Sequence, residues 1–268
     1  MSPPLPPSAV PWQAAARAYC DYWLPRFAPF LAAATAAFEP GPGTLWVPGC
    51  GPGAEALRLA RRFPDRSVIA TDPAPAMLAR LEADRAAAGL LNLEGLAGAA
   101  DEVPPGVAPA GGILSTFTLQ LLGDRSHALR AWAGALHPAG RVVVLFWPRQ
   151  PDGSAWGLLG EAMAAVTGEP REEWWEPALK AALPGLGLEL LLERDVVRAI
   201  PHPSPEIAFS RLVDGCSLRR LLDRHGPDVV AEVGRRWLAN HGLEPTDKGW
   251  VQRPTARLWA LGRAADAP

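Results

Sequence analysis

The sequence predicts an α/β protein: a Rossmann-like, seven-stranded, mostly parallel sheet with an antiparallel edge hairpin and a helical cap. Strand-like runs alternate with helical periodicity in the first half of the chain, which is typical of a parallel sheet covered by helices on both faces. After Trp147 this alternation stops, and a late strand, a helical stretch and a last strand follow. That order favours an antiparallel edge hairpin whose connection is expanded into the cap.

Each predicted element follows from its local pattern of apolar residues and turn residues. The predicted strands are residues 44–48, 67–71, 91–96, 111–117, 141–147, 186–200 and 255–262. The predicted helices are residues 53–63, 75–88, 124–136, 154–167, 172–183 and the stretch 204–241. Residues 11–38 predict one or two amphipathic helices interrupted by Pro25 and Pro29.

The composition excludes several classes of protein. The chain has 26 basic and 28 acidic residues, and its basic residues form no cluster longer than a pair, so we expect no nucleic-acid partner. Three cysteines without a C-x-x-C pair indicate neither a disulfide framework nor a metal site. The start lacks signal-peptide features and no run of eighteen apolar residues occurs. We therefore expect a cytoplasmic protein of 268 residues without a membrane span.

A glycine-rich turn follows the first predicted strand. Gly49-Cys50-Gly51-Pro52-Gly53 leads directly into a predicted helix, and bare backbone at such a turn is suited to the close approach of a nucleotide-like ligand. Gly49, Gly51 and Ala54 also satisfy the G-x-G-x-x-A pattern of dinucleotide binders. A tight turn that binds no ligand is the structural alternative.

Asp72 ends the second predicted strand, twenty-one positions after Gly51. A carboxylate at that distance can accept hydrogen bonds from both ribose hydroxyls of an adenosine group. Asp72 also precedes Pro73, so a role as the N-cap of the next helix is the alternative. The two roles are compatible.

Residues 40–150 resemble the class I S-adenosylmethionine-dependent methyltransferases, in particular the small-molecule group that includes the ubiquinone and menaquinone biosynthesis methyltransferases. The resemblance rests on five motifs in order: the G-C-G-x-G turn, Asp72 with Met77-Leu78 after it, residues 98–104, ILSTFTLQLL, and HALRAWAGALHPAGRVVVLFW. It implies S-adenosylmethionine as cofactor. The implied cofactor-binding residues are Gly49, Cys50, Gly51, Gly53, Asp72, Pro73, Met77, Ala100, Asp101, Thr116 and Phe117.

The resemblance also implies a division of the chain into an N-terminal helical lid (1–40), a cofactor-binding core (41–150) and a completing part (151–268). The cap insertion falls at about 203–245. Three acidic residues of the family pattern are replaced, by Val47, Ala99 and Gly111. Asp101 or Glu102 could substitute in the third segment, or backbone and Met77 alone could hold the adenine. Backbone carbonyls of the glycine turn could bind the cofactor's amino group.

Aromatic residues outside the core predict an apolar or aromatic acceptor site, with packing of cap against sheet as the alternative. The predicted acceptor residues are Tyr19, Tyr22, Trp23, Gln120, Trp147, Trp174, Trp175 and Phe209, and Trp156 is expected nearby. Methyl transfer depends mainly on alignment, so a catalytic residue is not required; His202 and Gln120 are the candidates.

The sequence thus predicts a methyltransferase for a small, apolar or aromatic acceptor, as a monomer or homodimer. Two alternatives stay open: a binding or regulatory protein that has lost turnover, and an NAD-dependent oxidoreductase.

Overall fold

A computed structural model describes Pro7 and residues 9–170, 174–215 and 218–264. The strands are β1 (Thr44–Pro48), β2 (Val68–Asp72), β3 (Leu93–Ala97), β4 (Ala110–Thr116), β5 (Leu136–Phe146), β6 (Leu188–Val197), β7 (Ile200–His202), β8 (Glu244–Thr246), β9 (Gly249–Gln252) and β10 (Thr255–Arg263). The helices are α1 (Val10–Ala18), α2 (Leu24–Ala36), α3 (Ala54–Arg62), α4 (Pro75–Ala87), α5 (Arg125–Ala135), α6 (Ala155–Thr167), α7 (Glu176–Ala182), α8 (Pro205–Gly215), α9 (Leu218–His225) and α10 (Pro227–Ala239).

Seven strands form one sheet in the order β3-β2-β1-β4-β5-β10-β6. The first five strands along this order are parallel, and β10 is antiparallel to both of its neighbours. The predicted mostly parallel sheet with an antiparallel edge hairpin is therefore confirmed. An antiparallel strand between the fifth and the last strands also separates this sheet from the dinucleotide-binding order 3-2-1-4-5-6.

The predicted strands agree with the observed ones apart from small shifts at their ends, and the fifth strand differs most. It begins at Leu136 rather than at residue 141, because Leu136 pairs with Ala110 before the pairing shifts register. Helix α5 accordingly ends at Ala135. His137 therefore lies within β5, on the opposite end of the strand from Phe146.

The N-terminal helices continue past both prolines, which corrects the predicted interruptions. A π-helical turn at Tyr19–Trp23 joins α1 to α2, and the Leu24 N–H closes it by donating to the carbonyl of Tyr19. Pro25 follows in the first turn of α2, where helices tolerate a missing N–H, and Pro29 lies inside α2. Phe27, Phe30 and Leu31 are buried on this helix, and their packing offsets the lost backbone bond.

The connection between β6 and β10 contains a second sheet that the sequence did not predict. β7, β9 and β8 form three antiparallel strands in that order, and α8, α9 and α10 lie between β7 and β8 in the chain. The predicted all-helical stretch is thus three helices, and the predicted helix 172–183 begins within residues that lie outside the described ranges. Within those ranges, no helix is both long and apolar enough to cross a membrane.

Candidate functional site

The three glycines of the turn after β1 all have positive φ: +63° at Gly49, +52° at Gly51 and +82° at Gly53. A Cβ on Gly49 would overlap Thr118, and one on Gly53 would overlap Leu81. A Cβ on Gly51 would meet no atom within 4 Å. The first and third glycines are therefore required by packing, whereas Gly51 presents bare backbone to open space.

Asp72 fixes this turn. Its Oδ2 accepts a hydrogen bond from the Gly51 N–H at 2.9 Å, and its Oδ1 accepts one from the Ala74 N–H at 2.9 Å. Burial raises the pKa of Asp72, and the two N–H donors oppose that rise. The N-cap of α4 is Ala74, so Asp72 is not the cap that the sequence alternative described. Each carboxylate oxygen retains a lone pair for a ligand hydroxyl.

A cavity of about 570 Å³ opens at the carboxyl ends of the parallel strands, next to this turn. Most of the predicted site residues line it. The cofactor set in the lining comprises Gly49, Cys50, Gly51, Asp72, Pro73, Met77, Ala100, Asp101, Thr116 and Phe117, and the acceptor set in the lining comprises Tyr19, Gln120 and Trp147. Gly53 is outside the lining because its role is to let α3 pack against Leu81.

Helix α1 closes the cavity over α4. The side chain of Gln13 accepts a hydrogen bond from the Ala76 N–H in the first turn of α4, at 2.8 Å. Trp12 lines the cavity and makes an edge contact with the Tyr19 ring, whose centroid lies 5.9 Å away. Met77 is 2 % exposed beneath this contact.

Aromatic side chains form the other end of the cavity. Phe117 stacks on Trp147 with ring centroids 4.2 Å apart, and Trp156 approaches Trp147 edge-on at 4.5 Å. Phe27 contacts Phe117 at 5.4 Å. Trp12 on α1 and Phe27 on α2 were not predicted as site residues.

Phe117 has φ +54°, a backbone conformation that a bulky residue rarely adopts. Its N–H donates to the carbonyl of Leu145 at 2.6 Å, which holds the strained residue at the end of β4. In this conformation the aromatic ring lies in the cavity wall, stacked on Trp147. Strain of this kind concentrates at functional sites.

Three predicted residues form a buried network away from the cavity. The Tyr22 hydroxyl and Nδ1 of His202 are 2.8 Å apart, and Nε2 of His202 is 3.1 Å from the Gln252 side-chain nitrogen. Trp23 is fully buried and donates to the carbonyl of Arg211. Burial lowers the pKa of His202 from 6.5 to about 4, and Arg26 adds to this. Tyr22, Trp23 and His202 join the π-helical turn before α2 to the small sheet and α8, and the buried His202 lacks the access that a catalytic base needs.

Trp174, Trp175 and Phe209 also lie outside the cavity lining. Trp175 packs on Phe146 at 5.0 Å, and Phe146 points to the opposite face of the sheet from Trp147, its neighbour in the chain. Trp174 donates to Glu176. Phe209 packs on Trp237 between α8 and α10. These residues therefore attach the later helices to the fold.

The positions that lack the acids of the family pattern have different environments. Val47 is 2 % exposed within the apolar core beside β2. Gly111 has no room for a side chain, because a Cβ there would overlap the carbonyls of Gly41 and Pro42. Ala99 lines the cavity beside Asp101. A carboxylate is therefore sterically excluded at Gly111. At position 47 an apolar side chain packs in the core instead of a carboxylate.

Glu55 is the acidic lining residue that the sequence reading missed. It lies in the first turn of α3, is 6 % exposed, and its Oε1 accepts a hydrogen bond from the Thr116 hydroxyl. Burial raises the pKa of Glu55 to about 7. An acidic residue two positions after the last glycine was the available signal. Acidic residues are common in the first turn of a helix, so that signal is not specific.

Comparison with known proteins agrees with this geometry. Residues 48–140 match a family model described as a methyltransferase domain. No curated protein matches the chain.

No group of three or more potential metal ligands occurs within the described ranges.

Solved structures share the fold at low sequence identity. A methyltransferase from Thiobacillus denitrificans, in complex with S-adenosyl-L-homocysteine, is 16% identical with a TM-score of 0.55; the alignment covers 97% of this chain and 99% of that one. A second, from Geobacter sulfurreducens with the same ligand, is 14% identical with a TM-score of 0.52, covering 88% and 90%. The [4+2]-cyclase SpnF is 18% identical with a TM-score of 0.54, covering 87% and 79%.

At identities this low, these structures show only that the chain shares their Rossmann-like fold. The matched domain covers the glycine turn, Asp72 and the end of β4. Residues 48–140 thus match a methyltransferase domain, and the chain shares its fold with structures described as S-adenosylmethionine-dependent methyltransferases.

Proposed function

We propose that this protein transfers a methyl group from S-adenosylmethionine to a small acceptor that presents an apolar or aromatic ring. One observation carries the proposal: a single cavity of about 570 Å³ joins the glycine turn and Asp72 to a wall formed by Phe117, Trp147 and Trp156. The two ends match the two reactants in chemistry. Nothing separates the ends, so a donor and an acceptor would share one space.

The residues present fit the cofactor. Asp72 offers carboxylate lone pairs to ribose hydroxyls, Met77 and Asp101 flank the space beyond it, and the backbone at Gly51 is open to close approach. These groups follow the order of the strands along the sheet edge. Asp101 follows β3, Asp72 ends β2, the turn follows β1, and Thr116 ends β4. An extended adenosine and methionine chain would lie across them in that direction.

The acceptor end is bounded by residues of the N-terminal helices, β5 and α6. Tyr19, Phe27, Trp147, Trp156 and Met163 give it an apolar surface with aromatic faces. Such a surface buries a ring and excludes water. An aromatic quinol-like acceptor, as the resemblance to ubiquinone and menaquinone methyltransferases implies, is one chemistry that this surface would hold.

When bound, the cofactor supplies an electrophilic methyl group on a sulfonium. The role of the protein is to align the acceptor atom with that methyl group and to exclude water. Alignment alone supplies most of the catalysis. Aromatic faces such as Phe117 stabilise an adjacent cation. The Gln120 side chain accepts a hydrogen bond from the Trp147 N–H at 2.7 Å, so it positions the wall rather than acting as a base.

We also propose a location and an organisation for the chain. The N-terminal lid (1–40), the core (41–150) and the completing part with its cap at about 203–245 form one protein, which acts as a monomer or homodimer in the cytoplasm without nucleic acid. Helix α1 supports the lid assignment, since Trp12 lines the cavity and Gln13 bonds to α4.

A second function has an observation in its favour. Val47 is in the core and Gly111 is sterically closed, so two acids of the family pattern are absent. A protein that binds the cofactor and has lost turnover would have this composition.

The test is methyl transfer from S-adenosylmethionine with a labelled methyl group to a panel of phenols, quinols, indoles and amines. We expect labelled product and equimolar S-adenosylhomocysteine with members that carry a ring. Cofactor binding without transfer to any member would favour the second function. The matched controls are the heat-denatured protein and reactions without acceptor.

A further inference from the structure

We infer that the Glu55 carboxylate binds the α-ammonium group of the methionine part of the cofactor. This inference rests on the proposed function and assigns a role to a residue outside the expected motifs. It also answers how the site functions when Val47 occupies the position at which the resemblance implies an acid.

Glu55 lies where the glycine turn meets the end of β4. Glu55 follows the glycine turn by two residues, and its Oε1 bonds to Thr116 at the end of β4. It therefore bridges the turn after β1 and the neighbouring strand β4, which are adjacent in the sheet. The cavity is lined by Glu55, by Thr116 and by the first two glycines of the turn, Gly49 and Gly51.

The charge of the Glu55 carboxylate is not balanced by an ion pair within the described ranges. No ion pair joins Glu55 to a basic side chain among the residues that the structure describes. Arg58, one turn further along α3, lowers the pKa of Glu55 by less than burial raises it, and its guanidinium reaches the carbonyl of Ala28 at 3.4 Å instead. A buried carboxylate without a cationic partner is costly. A cation on the ligand would supply the missing partner.

The acidic residues of the cavity follow a fixed order along the sheet edge. Three acidic side chains line the described cavity: Asp101 after β3, Asp72 at the end of β2, and Glu55 between β1 and β4. The cofactor carries its adenine, ribose and amino acid in a fixed linear order. With Asp72 on the ribose, the amino acid extends toward β4, and Glu55 is the carboxylate at that end.

The test compares two ligands by calorimetric titration: S-adenosylhomocysteine, and 5′-methylthioadenosine, which has the same adenosine and thioether but no amino acid. We expect Glu55→Gln to weaken S-adenosylhomocysteine binding by about 10- to 100-fold, the worth of one charge-assisted hydrogen bond. Affinity for 5′-methylthioadenosine should stay within about twofold of that of the native chain. Retained binding of this second ligand shows that the variant is folded.

Glu82→Gln is the matched control, because Glu82 is an exposed glutamate on α4 that pairs with Arg85. It should change neither affinity. A pH series adds a second readout: the native chain should bind S-adenosylhomocysteine more weakly as the pH falls below about 7, where Glu55 becomes protonated. The Gln variant should lack that dependence.

Three results would overturn the inference. Unchanged S-adenosylhomocysteine affinity in Glu55→Gln would do so, and with reduced turnover it would assign Glu55 to proton transfer from the acceptor. Equal weakening of both ligands would make Glu55 a support of the turn. Failure of the native chain to bind either ligand would remove the proposed function as well, and is distinguishable because it precedes any substitution.

Discussion

The glycine-turn end of the cavity comes from consecutive strand-to-helix units, whereas the aromatic end gathers side chains from α2, the ends of β4 and β5, and α6. At the first end the groups are mostly backbone and carboxylate, held by hydrogen bonds such as the one that the Gly51 N–H donates to Asp72 at 2.9 Å. At the second end the contacts are between rings, as for Phe117, Trp147 and Trp156. The backbone that faces the ligand is therefore set by local sequence, whereas the acceptor surface depends on tertiary packing.

The largest expected effect concerns the local end. Gly51→Val should abolish S-adenosylhomocysteine binding, because the side chain would enter the cavity at the turn and the residue would keep φ near +52° at a cost of roughly 1–2 kcal/mol. Calorimetric titration measures the loss.

Gly89→Val is the matched control. Gly89 also has positive φ with no atom within 4 Å of an added Cβ, and it is outside the cavity lining. It should carry the same strain and leave affinity unchanged. Retained binding in Gly51→Val would place the ligand elsewhere.

Asp72→Ala should weaken binding about tenfold or more, since it removes both the ribose acceptor and the hydrogen bond that holds the Gly51 N–H. It should weaken S-adenosylhomocysteine and 5′-methylthioadenosine alike, because both carry the ribose. Titration of both ligands checks this, and unchanged affinity would refute the ribose assignment.

The aromatic end is tested by a pair of tryptophans. Trp156→Leu should raise KM for an acceptor found in the panel by roughly tenfold through lost ring burial, with cofactor affinity unchanged. Trp174→Leu, on the other side of the sheet, should leave KM unchanged. Steady-state kinetics of the two variants decide it: a larger effect from Trp174 would contradict the location of the acceptor site.

The smallest effect on the cavity is expected from His202→Ala. It should lower the free energy of unfolding by about 2–3 kcal/mol, because Tyr22 and Gln252 lose a buried partner, and leave cofactor affinity within about twofold. Chemical denaturation measures the first quantity and calorimetry the second. His127→Ala, at an exposed position on α5, is the control.

The pH dependence of that variant has a definite sign. His202 has a folded-state pKa of about 4, below its ordinary 6.5, so its contribution to stability is full above about pH 6.5 and is lost as the pH falls toward 4. The difference between native chain and variant should shrink over that range. Glu55, with a raised pKa, acts with the opposite sign between about 4.5 and 7, so only the comparison with the variant isolates His202.

What the sequence predicted follows the same division. The sheet, the glycine turn and Asp72 were predictable, because period, spacing and strand ends are local. Trp174 and Trp175 were assigned to the acceptor site, yet Trp175 packs on Phe146 and Trp174 packs on Trp175, because tertiary contacts decide on which face of the sheet a late segment packs. We predicted that Tyr22 and His202 belong to the site, but both side chains are buried and they are hydrogen-bonded to each other. Glu55 was missed because an acid in a first helical turn is ordinary until burial shows otherwise.

The most direct measurement of the central claim is calorimetric titration of the native chain with S-adenosylmethionine and S-adenosylhomocysteine, with NAD as the control ligand. We expect saturable micromolar binding of the first two ligands and none of NAD. Absence of binding by both adenosyl ligands, or preferential binding of NAD, would contradict it.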